Sequence, residues 1–136
     1  MNVTKIKLEQ CSNTAMQLQN DDFDVVIDRP REKGGGGKGL MGGQYLLLGI
    51  GGCFCSTLFA AAQSRDIQME GLQVEVHGTL SEELPKRFTH VALLVSWQKC
   101  NQPSEFVKLL KIAEKGCISV NTIKTGLSFE VTQTDG

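Results

Sequence analysis

Polar and apolar positions alternate with a two-residue period over three stretches near the start of the chain, and each predicts a β-strand. Asn2 to Glu9 has Val3, Ile6 and Leu8 as its apolar members. In the second stretch Ala15, Gln17 and Gln19 alternate with Met16 and Leu18, and Phe23 to Asp28 carries the β-branched run Val25, Val26 and Ile27. Asn20-Asp21-Asp22 supplies turn chemistry for a hairpin between the second and third. The pattern then changes. No position from Gly39 to Ser64 is charged, and Tyr45 to Ala62 is apolar nearly all round, which predicts a helix buried on every side. Gly49, Cys53, Ser56 and Ala60 recur at helical spacing and make a face of small side chains that lets another helix approach closely. So buried a helix in so small a chain predicts that a second subunit supplies part of its cover.

Alternation returns after Asp66. Leu72, Val74 and Val76 alternate with Gln73, Glu75 and His77, and Thr79 to Glu83 runs on towards a turn at Pro85. Phe88 to Trp97 then places Val91, Leu93, Val95 and Trp97 on one parity. Asn101 or Ser104 is placed to cap a helix over Glu105 to Lys115, whose apolar stripe is Phe106, Leu109, Leu110 and Ala113. Gly116 is placed to end that helix in a left-handed conformation. Ile118 to Thr125 predicts a short helix and Leu127 to Val131 a closing strand. The order is three strands, buried helix, two long strands, two helices and a strand, an α+β arrangement with antiparallel pairing.

A chain of 136 residues fits one domain, residues 1–136. Its net charge of -1 and its scattered Lys and Arg offer no broad attraction to nucleic acid, and six Phe, one Trp and one Tyr are too few for a base-stacking platform. No nucleic-acid partner is expected. The uncharged run is long enough to raise a membrane span. Gly49, Gly51, Gly52, Cys53, Cys55, Ser56 and Thr57 dilute it, no cationic cluster flanks it, and the remainder is a mixed α/β domain. A core helix without a membrane partner is the expectation. Met1 to Gln10 contains no apolar signal core, so a cytoplasmic chain is expected.

Candidate chemistry is confined to a few residues. Gly34 to Gly39, with Lys38, tempts a phosphate-loop reading, but Gly39 follows the Lys where Ser or Thr is required, and Glu32 stands where the leading Gly belongs. A flexible connection is the better reading. The five cysteines, Cys11, Cys53, Cys55, Cys100 and Cys117, form no Cys-x-x-Cys pair and no zinc-type cluster with His77 or His90, so neither a metal site nor a cofactor is expected. In a cytosolic chain such thiols stay reduced unless they do transient redox chemistry.

Two stretches resemble the OsmC/Ohr family. Tyr45-Leu46-Leu47-Leu48-Gly49-Ile50-Gly51-Gly52-Cys53 is similar to the family's hydrophobic helix, and continues as Cys53-Phe54-Cys55-Ser56-Thr57-Leu58 where the family commonly has C-x-x-x-T-L. Glu114 to Ile123, around Cys117-Ile118-Ser119, is similar to the family's C-P-V-S-x-T-L segment. Asp28 to Gly39 also resembles the D-x-P and Gly-rich loop ahead of the family's first helix. The resemblance implies an OsmC-like fold, with antiparallel sheets packed around two central helices in an intertwined homodimer and active sites at the dimer interface.

It also implies a cysteine-pair chemistry. Carried over, Cys53 is the peroxidatic thiol that attacks an organic hydroperoxide and Cys117 the thiol that resolves it. A dithiol then reduces the pair, with lipoyl groups on proteins serving in the Ohr branch, and the role is oxidative stress defence. The family's peroxidases support the thiolate with a Glu just ahead of the first helix and an Arg in the N-terminal strand region. Those positions fall here at Gly43 or Gln44 and near Ser12, which leaves Arg29 and Arg31 as the candidate substitutes. Cys53 lies well inside its helix, so Cys117, ahead of a short helix, is the better placed of the two for help from a helix dipole. Cys55 points nearly opposite to Cys53 on the same helix and is expected to pack in the core. The alternative is an OsmC-like homologue without peroxidase activity that binds a small hydrophobic or thiol-reactive ligand at the dimer interface. A structural oligomer with incidental buried thiols is the third class.

Overall fold

The computed structural model describes residues 2–134, in two units divided between Leu48 and Gly49. In the first unit, β1 (Leu8–Gln10), β2 (Met16–Leu18) and β3 (Val26–Ile27) form an antiparallel sheet in sequence order. Asn20 closes the second hairpin as expected, its Oδ1 accepting the amides of Asp22 (2.8 Å) and Phe23 (3.1 Å). The first strand is shorter than its alternation predicts. Residues 2–7 lie outside it, and Val3 and Ile6 are exposed, because an alternating segment becomes strand only where an edge offers hydrogen bonds.

The glycine-rich loop is organised by a carboxylate. Asp28 is buried, and its oxygens accept the Thr14 hydroxyl (2.9 Å) and the amides of Arg29 (2.7 Å), Gly36 (3.2 Å) and Lys38 (3.2 Å). The loop amides that resembled an anion cradle therefore already hold an internal anion. Burial pushes the Asp28 carboxyl up, but the Lys38 amide, the Thr14 hydroxyl and the Arg29 and Gly36 amides outweigh it and hold it below its usual range. Gly39 is required by a close approach, since a Cβ there would stand 1.9 Å from the Val26 carbonyl oxygen.

Helix α1 (Gly42–Gln63) has the length and composition of a membrane span. Among its second-unit residues, Ile50, Gly51, Phe54, Leu58 and Ala62 are buried, and the last three belong to a core completed by Ile67, Leu109, Ala113 and Cys117. Burial on every side is not what the single chain shows. Gly49, Ser56, Phe59 and Ala60 are exposed, so the small-residue face faces outward and only its Cys53 is half-buried. At Gly51 a Cβ would come within 2.7 Å of a Val76 methyl, which fixes how closely α1 lies on the sheet beneath it.

That sheet is the hairpin of β5 (Gln73–Leu80) and β6 (Phe88–Ser96), paired with Val74 opposite Val95 and Val76 opposite Leu93. The predicted parity holds: these four side chains face inward and are half-buried. Two short strands escaped the pattern, β4 (Met69–Glu70) and β7 (Lys99–Cys100), which pair with each other. Asn101 does not cap the next helix. Its side chain accepts the Gln68 amide (2.8 Å) and donates to the Asp66 carbonyl (3.1 Å), tying β7 to the end of the α1 turn. A tight turn at Pro103–Glu105 leads into α2 (Phe106–Gly116), whose buried Phe106, Leu109 and Ala113 match the expected stripe.

Gly116 is the last helical residue and is not left-handed; the break comes at Cys117 (φ -80°, ψ 121°), which is also the N-cap of α3 (Ile118–Thr125). The expected strand from Leu127 to Val131 is absent. Residues 127–134 form no regular element, and Leu127, Phe129 and Val131 are 77%, 88% and 86% exposed, an apolar alternation that pairs with no strand of the single chain.

Candidate active site

Two elements of the second unit bring Cys53 and Cys117 together. Cys53 stands on α1, one residue before the core residue Phe54, and the following turn is seated by Thr57. The Thr57 hydroxyl donates to the Cys53 carbonyl (3.0 Å), while its methyl lies 3.4 Å from where a Cβ on Gly116 would be. The end of α2 therefore lies on α1 at ordinary packing distance, and the next residue is Cys117. The Cys117 Sγ lies 3.6 Å from the Cys53 Sγ, in sulfur hydrogen-bond range, across 64 positions of sequence. Cys117 is fully buried and Cys53 half-buried, so a small molecule reaches the pair from the Cys53 side.

The electrostatics bear on Cys53, the cysteine placed deep inside its helix. Helix α3 begins at Ile118, and its first internal hydrogen bond runs from the Asn121 amide to the Cys117 carbonyl (3.0 Å). The preceding amides have no acceptor within the helix. The Ser119 hydroxyl, then the Ser119 amide, and after them the Cys117 thiol and the Ile118 amide, donate to the Cys53 sulfur and hold its thiol below the usual range, while burial pushes the other way. The groups that lower the thiol of a cysteine deep inside one helix stand at the start of another. Ser119 was in view in the sequence as part of the Cys117-Ile118-Ser119 motif, but no local signal connects it to Cys53.

The other cysteines fall elsewhere. Cys55 is half-buried with its thiol pushed up by burial, Cys100 sits on β7 against the core, and Cys11 is exposed. Among the described residues no group of three or more His, Cys, Asp or Glu converges on a point where a metal ion would bind. Beside Phe54 a cavity of about 280 Å³ opens between α1, the β6 face and α2–α3, lined by Val91, Leu93, Val95, Leu110 and Val120. Glu114 and Lys124, 2.5 Å apart, also line it.

The family model for OsmC-like protein matches residues 35–132, a span that includes both cysteines and the whole of α1 to α3. The chain belongs to that family. Solved structures of other OsmC-like proteins share its α+β fold of antiparallel sheets and helices. An OsmC-like protein from Mycoplasma pneumoniae superposes with a TM-score of 0.77 at 21% identity, over 90% of this chain and 88% of that one. An organic hydroperoxide resistance protein OsmC from Legionella pneumophila gives 0.68 at 25% identity, over 91% and 90%. The organic hydroperoxide resistance protein OhrB of Bacillus subtilis gives 0.63 at 20% identity, over 88% and 90%. No curated protein matches the chain by sequence.

Within this OsmC-like chain the positions of the family's supporting Glu and Arg do local work. The Gln44 side chain accepts the Met41 amide (2.9 Å) and caps the start of α1. Ser12 accepts the Thr14 amide (3.1 Å) in the turn between β1 and β2. Of the candidate substitutes, Arg31 donates from Nε to the Gly36 carbonyl (3.3 Å) of its own loop.

Proposed function

We propose that this OsmC-like chain is a thiol-dependent peroxidase that reduces organic hydroperoxides in oxidative stress defence, with Cys53 as the peroxidatic and Cys117 as the resolving thiol. The observation that carries the reading is the 3.6 Å approach of a half-buried, acidified Cys53 to a fully buried Cys117. The Cys53 thiolate attacks a hydroperoxide oxygen; the S–O bond forms, the O–O bond breaks, and the alkoxide leaves and takes up a proton as the alcohol. Cys117 then attacks the sulfenic sulfur. The S–S bond forms and the S–O bond breaks, with the hydroxyl leaving as water on the Cys117 proton. A dithiol, of the lipoyl type where a lipoyl protein serves, returns both thiols by taking two electrons' worth of oxidation onto itself. Residues 1–136 act as one OsmC-like domain in the cytoplasm, where the thiols are kept reduced between cycles.

The working unit is a homodimer. In support, α1 exposes Leu46, Leu48 and Phe59, and the apolar alternation Leu127, Phe129, Val131 has no strand partner in its own chain. The second reading, an OsmC-like binding protein without turnover, is favoured by the apolar cavity beside Phe54 and by the lack of an acid at Gly43 and Gln44.

One experiment separates the two. Reduced protein is mixed with one equivalent of cumene hydroperoxide and free thiols are counted over time. Peroxidase action consumes two thiols, is abolished by Cys53→Ser, and leaves an oxidised Cys53 in Cys117→Ser. An unchanged thiol count over many minutes removes the peroxidase and leaves the binding protein.

A further inference from the structure

Two links cross the break between α2 and α3, and Cys117 lies inside both. Asn121 makes the first. Its side-chain Nδ2 donates to the Lys115 carbonyl (3.0 Å), and its amide donates to the Cys117 carbonyl (3.0 Å). Lys115 stands in the last turn of α2, where a carbonyl has lost the amide that would bond it in a continuing helix. One residue of α3 thus holds the carbonyls on both sides of Gly116. The second link is the Glu114–Lys124 ion pair (2.5 Å), which joins two long side chains, each more than half exposed. Such a pair adds little rigidity in water. A short carboxamide, bonded through its side chain and through its own backbone, fixes the angle of the corner. At that corner Cys117 is extended (φ -80°, ψ 121°) and fully buried, and its thiol lies 3.6 Å from the Cys53 sulfur.

We propose that Asn121 is the positioning residue for Cys117, its carboxamide and amide fixing the corner between α2 and α3 that aims the thiol at Cys53. The proposal rests on Cys117 as the resolving thiol of the reading above, and deepens it by naming what holds that thiol in line. The reason is entropic. Freedom left at the corner lowers the local concentration of one sulfur at the other. Cys53 is held by the continuous helix α1, whereas Cys117 sits at a change of backbone direction that helix hydrogen bonds do not span. Once a disulfide has formed, it holds the corner covalently, so the Asn121 bonds matter most to the reduced protein. That asymmetry separates positioning from general stabilisation. A bond equally strong in both states leaves the thiol–disulfide equilibrium unmoved.

The test reads the equilibrium of the pair and not turnover. The full chain is equilibrated with reduced and oxidised glutathione and quenched with acid, and the Cys53–Cys117 bridge is quantified by peptide mass. Its formation passes two electrons and two protons to glutathione disulfide, which leaves as two glutathione thiols. The constant is the effective concentration of one protein thiol at the other. Asn121→Leu, similar in size and neutral, and Asn121→Ala should each lower that concentration about fivefold, the worth of one neutral hydrogen bond. Leu and Ala are better helix formers than Asn, so α3 by itself gains from either change and a loss cannot come from a weaker helix. Thr122→Val is the control. It removes a hydroxyl bond to the Ile118 carbonyl (2.7 Å) that lies within α3 and crosses no break. It should stay within about twofold of wild type. An unchanged concentration in Asn121→Leu and Asn121→Ala, an equal loss in Thr122→Val, or a wild-type chain that forms no bridge at any glutathione ratio overturns the proposal. Thiol consumption by cumene hydroperoxide is measured on the same proteins. Wild-type protein that resists the peroxide while its bridge depends on Asn121 sinks the peroxidase reading and leaves this one standing; peroxide consumption with bridging independent of Asn121 does the reverse.

Discussion

Oxidation of the cysteine pair is expected to stabilise the fold by an amount that can be worked out. A Cys53–Cys117 bond closes a loop of 64 residues. In the chain-entropy description a bridge of that span removes about 4 kcal/mol of disorder from the unfolded chain. The native state changes little, because the sulfurs need close only from 3.6 Å to about 2.05 Å, a motion within side-chain rotation. Oxidation also removes the hydrogen bond between the two thiols, which forfeits about 1 to 2 kcal/mol. The net expectation is a gain of about 2 to 3 kcal/mol. Unfolding entropy of about 2.1 cal/mol/K per residue, taken over 136 residues, makes each kcal/mol worth about 3.5 °C, so the melting temperature should rise by about 7 to 10 °C. Melting is followed by circular dichroism on reduced and peroxide-oxidised protein at one concentration, after peptide mass has verified the bridge. Cys117→Ser should melt at the same temperature under both conditions. An oxidised chain that carries the Cys53–Cys117 bond and melts at or below the reduced one would refute the reasoning, since the native fold would then have to be distorted to bring the sulfurs together.

Three further outcomes follow from the packing and the charges. Gly51→Ala sets a helix-propensity gain of about 1 kcal/mol against overpacking of about 1 to 3 kcal/mol at the Val76 methyl, so it should destabilise, and Val76→Ala in the same chain should relieve it in a double-mutant cycle by urea denaturation. Leu58→Ala empties a fully buried core position and should cost about 2 to 5 kcal/mol by the same measurement. Asp28 has a depressed carboxyl, so its contribution is present above the unfolded value of about 3.9 and is lost as pH falls through the lower folded value; the Gly36 and Lys38 amides should lose hydrogen-exchange protection in that acid window, and Asp28→Asn should remove the pH dependence.

Periodicity alone located the long elements, because helix and strand repeats are local and β5, β6, α1 and α2 each run long enough to express them. The same holds for the two cysteine contexts, whose neighbours in sequence carry the family's pattern. Local pattern failed where a segment needs a partner to take its shape. Asn2 to Ile6 and Leu127 to Val131 alternate like strands but join no sheet in the single chain, while β4 and β7, two residues each, have no period to detect and exist only because Met69 meets Cys100. Gly116 looked like a left-handed cap and is instead the last residue of α2, packed beside Thr57. The same limit applies to the thiol chemistry. That Cys53 and Cys117 lie close together was legible in sequence through the family's pattern, but the lowering of the Cys53 thiol by groups on another helix was not. Ser119, the first cause of that lowering, stands on α3 and meets Cys53 only through the tertiary fold. Hydrogen-bond donors serve whatever acceptor the fold delivers to them, and only the packing of α1 against the break between α2 and α3 decided that the acceptor is the Cys53 sulfur.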